Sequence, residues 1–148
     1  MCFSNTKKIY GENHPTIANT WLTLGIILGN TGDFNRALAF GEKALKIYLT
    51  LFGENHLNVA CAYNSIGFIH GKKGNVKKEI AYRSKGLAIA LKTGNKILAA
   101  NSCNRVAHAY KKNQQKDLAN TYFRQAAEKF RELGDEEQAQ ANLKEIEE

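Results

Sequence analysis

The 148-residue chain is poor in proline and in long apolar runs, and each shortage excludes a class of structure. Its single proline, Pro15, leaves the rest of the chain without a residue that breaks helices. No apolar run approaches the roughly 20 residues that a membrane-spanning helix needs. Residues 1–10 lack the apolar stretch of a secretory signal. We therefore predict a protein that neither spans a membrane nor enters the secretory pathway.

Cysteine is also scarce, and its spacing excludes the common cysteine motifs. The three cysteines are Cys2, Cys61 and Cys103, and successive ones lie at least 42 residues apart. An odd number without a C-x-x-C pair excludes zinc fingers and dithiol redox sites. We expect free thiols in a reducing compartment, which favours the cytoplasm.

Sequence motifs of catalysis are missing as well. The chain contains no G-x-S-x-G, H-E-x-x-H or Walker-type phosphate-binding sequence. His14 and His56 occupy the same place before a predicted helix, so we expect a structural role for both. His70 falls on a predicted buried stripe and is interpreted as a core residue. We predict no catalytic residue, no metal, no cofactor and no small-molecule substrate.

The net charge of +7 conceals two parts of opposite sign. Residues 132–148 carry seven acidic residues and one lysine, so residues 1–131 carry 20 basic and seven acidic residues. A basic body favours a partner with acidic groups, although such charge also serves solubility.

Internal repetition is the most informative feature of the chain. The sequence Gly-Glu-Asn-His at 11–14 recurs at 53–56, and weaker echoes follow at Gly94 and Gly134. The four glycines are spaced by 42, 41 and 40 residues. Glycine ends helices because it adopts left-handed backbone angles without a Cβ clash. The pattern therefore predicts a unit of about 42 residues that ends and restarts a helix.

Each unit is predicted to contain two amphipathic helices. In the first, Ile17, Trp21, Leu24 and Leu28 recur at spacings of three and four, the apolar stripe of a helix. Later segments repeat this pattern. We predict a single domain over 1–148, with units at about 11–52, 53–93 and 94–133 and a capping helix at 135–148.

These units resemble tetratricopeptide repeats, whose first helix carries W-x2-L-G-x2-Y. The corresponding residues are Trp21-x2-Leu24-Gly25-x2-Leu28, Tyr63-x2-Ile66-Gly67-x2-His70 and Cys103-x2-Val106-Ala107-x2-Tyr110. The long period and the G-E-N-H-P sequence resemble the repeats of kinesin light chains. The resemblance implies an all-α, right-handed helix-turn-helix repeat solenoid. Because residues 9–11 align with 51–53, we expect the chain to begin with a truncated repeat remnant, which marks either a fragment of a longer array or a short N-terminal cap.

The second unit departs from the repeat pattern in its second helix. Glu79 stands where the other units have Ala37 and Ala119, and Arg83 stands where the third unit has Phe123. A carboxylate in place of a methyl group disturbs a close helix contact. We therefore expect looser packing in the second unit.

The resemblance implies that the first helix of each unit lines a concave binding face. Three apolar residues, Leu22, Ile26 and Phe68, lie off the core stripe and predict an apolar anchor site, unless they pack between neighbouring first helices. The peptide-binding residues predicted on this face are Asn19, Leu22, Ile26, Asn30, Asn64, Phe68, Lys72, Asn101, Asn104, Arg105, His108, Lys111 and Lys112.

The predicted ligand is an extended peptide with an apolar residue and acidic neighbours. By resemblance, Asn64 and Asn104 would hydrogen-bond its backbone. Arg105, Lys111 and Lys112 would attract its acidic residues. We therefore predict a protein–protein interaction scaffold and not an enzyme. Two alternatives stay open: a basic module that associates with nucleic acid, and a structural segment of a larger repeat protein.

Overall fold

The computed structural model describes residues 14–147, which form seven helices joined by short turns and contain no strand. Residues 1–13, with the predicted repeat remnant, and residue 148 lie outside the described part. In chain order the helices are α1 (Pro15–Thr31), α2 (Phe34–Phe52), α3 (Leu57–Lys73), α4 (Val76–Thr93), α5 (Lys96–Lys112), α6 (Lys116–Glu132) and α7 (Glu136–Lys144).

Two histidines cap the helices that follow the repeated Gly-Glu-Asn-His sequence. His14 Nδ1 accepts a hydrogen bond from the backbone N–H of Thr16, and His56 Nδ1 accepts one from that of Asn58, each at 3.1 Å. A side-chain acceptor at this position satisfies a backbone donor that the first helical turn leaves unpaired. The structural role predicted for these two histidines is confirmed.

The helix ends follow the glycine positions in most turns. Gly74 and Gly94 end α3 and α4 with φ of 91° and 70°, in the left-handed region where glycine has no Cβ penalty. Between α5 and α6 the sequence has no glycine, and Gln114 takes the positive φ of 59°. The glycine pattern therefore located the other turns but left the α5–α6 turn without its usual signal.

Consecutive helices pack against each other along the chain, and α1 also contacts α3. One core cluster joins α1 to α5 through Ile17, Tyr48, Val59, Ile89 and Leu98. Two further clusters lie in the C-terminal half; they contain Leu87, Ala100, Cys103, Val106, Ala126, Ala127, Phe130 and Ala139 in one, and Ala107, Ala119 and Phe123 in the other. Each cluster combines residues of neighbouring helices, as a stacked repeat requires.

The buried stripe predicted for α1 is wrong at Leu24, which is 36% exposed. Gly25 and Gly29 occupy the helix contact instead. A Cβ on Gly25 would lie 3.1 Å from the carbonyl oxygen of Ala37, and one on Gly29 would lie 3.2 Å from Ile69. Because the two glycines let α1 approach its neighbours closely, they take the contact face and turn Leu24 towards its edge.

The second hairpin, formed by α3 and α4, accommodates Glu79 by an ion-pair network rather than by loose packing. The Glu79 side chain is only 5% exposed, and its carboxylate contacts Arg83 Nε at 2.9 Å and Lys112 Nζ at 2.7 Å. Gly71 makes room for this carboxylate, because a Cβ there would lie within 2.5 Å of it. The expectation of looser packing is therefore wrong at this position.

The first and second units share a contact between a lysine and an aromatic ring at equivalent positions. Lys43 Nζ lies 5.5 Å from the Trp21 ring centre, and Lys85 Nζ lies 5.3 Å from the Tyr63 ring centre. Both lysines and both rings are 42 positions apart in the sequence. Cation–π contacts of this kind stabilise exposed sites modestly, and the lysine covers part of the ring face.

The last helix is shorter than the 135–148 predicted and ends at Lys144. Ala139 and Asn142 are buried against the third hairpin, formed by α5 and α6, and Leu143 packs on the cluster around Phe130. Beyond the helix, Ile146 packs on the cluster around Phe123. The C-terminal residues thus cover apolar surface of the third hairpin.

Candidate functional site

A pocket of about 370 Å³ opens between the first helices of neighbouring hairpins, on the predicted binding face. Four residues predicted from the sequence line it: Ile26 from α1, Asn64 and Phe68 from α3, and Arg105 from α5. Residues on three separate helices therefore meet at one place. The rest of the lining is Cys61, which the repeat register also places on the first-helix face, and Ser65 and Arg83, which the sequence did not predict.

One side of the pocket is apolar. Ile26 is 37% exposed, and Phe68 is half-buried next to it in the lining. Lys72 Nζ lies 5.5 Å from the Phe68 ring centre, one helical turn further along α3. An accessible aliphatic and aromatic pair offers surface that an apolar ligand side chain would remove from water.

The other side of the pocket is basic. Arg83 is held by Glu79, whereas Arg105 has no carboxylate partner among the described residues. Partial burial lowers the pKa of the Arg105 guanidinium, and the positive charge of Arg83 lowers it further. An arginine stays protonated despite such a shift. The pocket therefore holds a positive charge whose interaction with an anion would be favourable.

Asn64 is buried, contrary to the exposed position predicted for it. It is 7% exposed, and neither its Oδ1 nor its Nδ2 makes a hydrogen bond within the described structure. The side chain lies against Gly86, where a Cβ would be 2.8 Å from Oδ1. The absence of a side chain at Gly86 lets the amide pack against α4, so its two polar atoms are buried although the residue lines the pocket.

Cys61 lines the pocket as a neutral thiol. Residue 61 is exposed, but partial desolvation of its thiol by the pocket wall raises the pKa of the thiol, and Arg105 opposes the rise only in part. A thiol becomes a nucleophile when its pKa is lowered, so the direction of the shift disfavours catalysis by Cys61. Cys61 and Cys103 are both free.

Other predicted positions on α1 lie outside the pocket lining. Asn19 accepts a hydrogen bond from the Tyr48 hydroxyl, and Leu22 packs on the first core cluster. Leu22 is therefore half-buried against this cluster. Asn30 is exposed near the end of α1.

Intramolecular contacts engage most of the predicted site residues on α5. Asn104 Nδ2 donates to Asn142 Oδ1 at 2.7 Å, and Asn101 lines a separate recess beside α7. Lys111 pairs with Glu145 at 2.9 Å and with Glu147 at 3.4 Å. The C-terminal residues thus occupy Lys111, one of the basic residues predicted to attract a ligand. Lys112 pairs with Glu79. The His108 ring lies edge-on to the Phe123 ring, with 4.9 Å between their centres.

Metal binding and membrane crossing find no support in the part of the chain that the structure describes. Between residues 14 and 147, no three histidine, cysteine or acidic side chains are grouped as a metal ion would require. In the same range, no helix combines the length and the apolar character needed to cross a membrane.

Two family models of the tetratricopeptide repeat match the chain, at residues 16–92 and at residues 100–128. No curated protein sequence matches it. Among solved structures, the nearly identical repeats of a candidate kinesin light chain from Podosopora anserina match with a TM-score of 0.71 at 17% identity, over 96% of this chain and 79% of that one.

A second solved structure, BtubC (BKLC) from P. vanneervenii, matches with a TM-score of 0.68 at 17% identity. The match covers 88% of this chain and 62% of that one. At such identity the likeness concerns the fold alone. It confirms the predicted all-α helix-turn-helix solenoid and the resemblance to kinesin light chain repeats.

Proposed function

Because the chain belongs to the tetratricopeptide repeat family, we propose that it is a protein-binding scaffold that takes an extended peptide along α1, α3 and α5. Repeats of this family mediate protein–protein interactions, and solenoids present extended surfaces for them. The scaffold needs no catalytic residue or cofactor, and the free thiols of Cys61 and Cys103 suit a reducing compartment such as the cytoplasm.

The observation that carries this proposal is the pairing of apolar and basic surface in one pocket. Ile26 and Phe68 offer apolar contact, and Arg105 on the same pocket lacks a carboxylate partner among the described residues. A peptide with an apolar side chain and an acidic one nearby satisfies both. The guanidinium is suited to a carboxylate because it donates two parallel hydrogen bonds.

The structure changes the roles assigned to the asparagines. The Asn64 amide is buried against Gly86, and the Asn104 amide already donates to Asn142. Neither is therefore proposed to hold the peptide backbone. Ser65 remains as a polar group of the pocket lining, with a hydroxyl that donates to the Cys61 carbonyl and has lone pairs left to accept.

Nucleic acid is the less favoured ligand because many basic side chains already have partners. Lys111 and Lys112 pair with carboxylates, and Lys43 and Lys85 lie over aromatic rings. Binding to nucleic acid releases counterions and weakens steeply with salt, whereas a complex anchored by apolar contact does not. A titration at two salt concentrations separates the two ligand classes.

Phe68→Ala is expected to weaken peptide binding about tenfold, because it removes the aromatic half of the apolar anchor. Lys112→Ala is expected to change the affinity less than about twofold, because exposed charges contribute little. Peptides are first selected from a random display library on the unmodified protein. Their dissociation constants are then measured by fluorescence polarisation for each variant.

Phe52→Ala is the matched control, because Phe52 is also an accessible aromatic residue but lies at the end of α2, outside the pocket lining. Its affinity for the selected peptides should equal that of the unmodified protein. Selected peptides without an apolar–acidic pattern, or equal losses for Phe52→Ala and Phe68→Ala, would contradict the proposal. Tighter binding of single-stranded RNA than of any peptide would favour the nucleic-acid alternative.

A further inference from the structure

The C-terminal residues 145–147 lie on the third hairpin in the way that a bound peptide would. Asn120 on α6 makes two hydrogen bonds to the backbone of Glu147: Nδ2 donates to its carbonyl oxygen at 2.7 Å, and Oδ1 accepts from its N–H at 3.1 Å. One carboxamide thus satisfies both backbone groups of a residue outside any helix. Both hydrogen bonds involve backbone atoms of Glu147, so they do not depend on its side chain.

The side chains of this segment meet a matching surface. Lys111 Nζ contacts Glu145 at 2.9 Å and Glu147 at 3.4 Å. Between the two acids, Ile146 packs on the cluster of Ala107, Ala119 and Phe123. The surface therefore matches an acidic–apolar–acidic order, with a cation for the acids and an apolar cluster for the residue between them.

A recess of about 290 Å³ remains beside this segment. Lys111, Asn120 and Phe123 line it, together with Glu145 and Glu147 of the segment itself. The segment does not fill the space between α5 and α6, so a ligand with larger side chains has room there. We call this surface of Lys111, Ala119, Asn120 and Phe123 the hairpin site.

The segment can leave the hairpin site while α7 stays in place. Helix α7 is anchored separately by Ala139 and Asn142, which are at most 1% exposed. In contrast, the ion pairs of the segment are partly exposed, with the side chains of Glu145 and Glu147 exposed by 40% and 58%. Exposed ion pairs contribute little, so the segment is held mainly by Ile146 and by the Asn120 hydrogen bonds.

We infer that the hairpin site is a second peptide-binding site, distinct from the pocket around Phe68, which residues 145–147 occupy within the chain. Its ligand is a partner segment with an acidic–apolar–acidic sequence, which displaces residues 145–147. The hydrogen bond between Lys111 and Glu145 raises the pKa of the lysine and lowers that of the carboxyl, because it stabilises the charged form of both groups.

The first test uses a fluorescent peptide that copies residues 143–148 and the full-length chain. Ile146→Ser weakens the internal segment, so this variant should bind the peptide at least about fivefold more tightly than the unmodified chain. Adding Asn120→Ala to this variant should abolish binding. A peptide with serine in place of its isoleucine should not bind either. Equal affinity for the variant and the unmodified chain, or no effect of Asn120→Ala, overturns the inference.

Because the pocket around Phe68 also favours an apolar residue with acidic neighbours, these variants are compared in a Phe68→Ala background, so that binding of this peptide reports on the hairpin site. A second measurement uses the unmodified chain and does not depend on any variant. Amide hydrogen exchange at Glu147 should accelerate when the unlabelled peptide is added in excess, since displacement exposes the N–H that Asn120 protects. An exchange rate that excess peptide leaves unchanged shows that the segment is a fixed part of the fold and overturns the inference.

Discussion

Phe123→Ala is expected to lower the free energy of unfolding by about 4 kcal/mol. Phe123 is completely buried on α6 and forms a cluster with Ala107 and Ala119. Truncation leaves a cavity that the surrounding helices cannot close, because alanines already bring α5 and α6 close together. Urea unfolding followed by circular dichroism measures the loss.

Leu118→Ala is the control on the same helix, because Leu118 is 42% exposed. Its cost should stay below about 1 kcal/mol, as expected for a side chain that leaves water only in part. If the two variants unfold at the same urea concentration, the packing of the third hairpin differs from the one described.

Glu79→Ala is expected to destabilise the protein by about 3 kcal/mol. The change leaves Arg83, which is 12% exposed, without the carboxylate that offsets its charge, and it opens a space beside Gly71. Lys112→Ala removes the more exposed partner, whose side chain is 50% exposed, and should cost less than about 1 kcal/mol. Chemical denaturation of the single variants gives both values.

A double variant tests whether the cost of Glu79→Ala arises from an unpaired charge. Replacing both Glu79 and Arg83 by methionine removes both buried charges and keeps most of the volume. Such replacements are often neutral or stabilising, so the double variant should be more stable than Glu79→Ala. A double variant less stable than Glu79→Ala would show that the ion pair itself stabilises the second hairpin.

Local sequence signals predicted most of the fold. Helices end at glycines, such as Gly74 and Gly94, because these turns need left-handed backbone angles that glycine adopts without a Cβ clash. The apolar period also predicted the core positions Ile17, Val59 and Val106. The division of the chain into units at about 11–52, 53–93 and 94–133 stays a prediction.

The sequence predicted those residues of the candidate pocket whose exposure depends only on which face of their own helix they occupy. Ile26, Phe68 and Arg105 follow from the repeat register, since equivalent turns of neighbouring first helices face the same way. The burial of Asn64 depends on the missing side chain of Gly86, on another helix and 22 positions away. Such pair-specific contacts leave no periodic signal in one sequence.

The contacts of the C-terminal residues were missed for the same reason. Lys111 and Glu145 are 34 positions apart, and Asn120 and Glu147 are 27 positions apart. The sequence showed an acidic C-terminal region and a basic body, but charge composition does not say which residues meet. Arg83 did carry a signal, because it stands where the third unit has an aromatic residue, and it lines the pocket.

A charge exchange between the pocket and its ligand tests the central claim most directly. Arg105→Glu should weaken binding of a selected acidic peptide about fivefold or more, and replacing the peptide's acidic residues by lysine should restore binding to this variant. Lys46→Glu, an exposed reversal on α2 outside the pocket, is the control and should still bind the acidic peptide more tightly than the lysine peptide, as the unmodified chain does. If Arg105→Glu binds both peptides as the control does, the pocket does not read the charge of a peptide and the account is wrong.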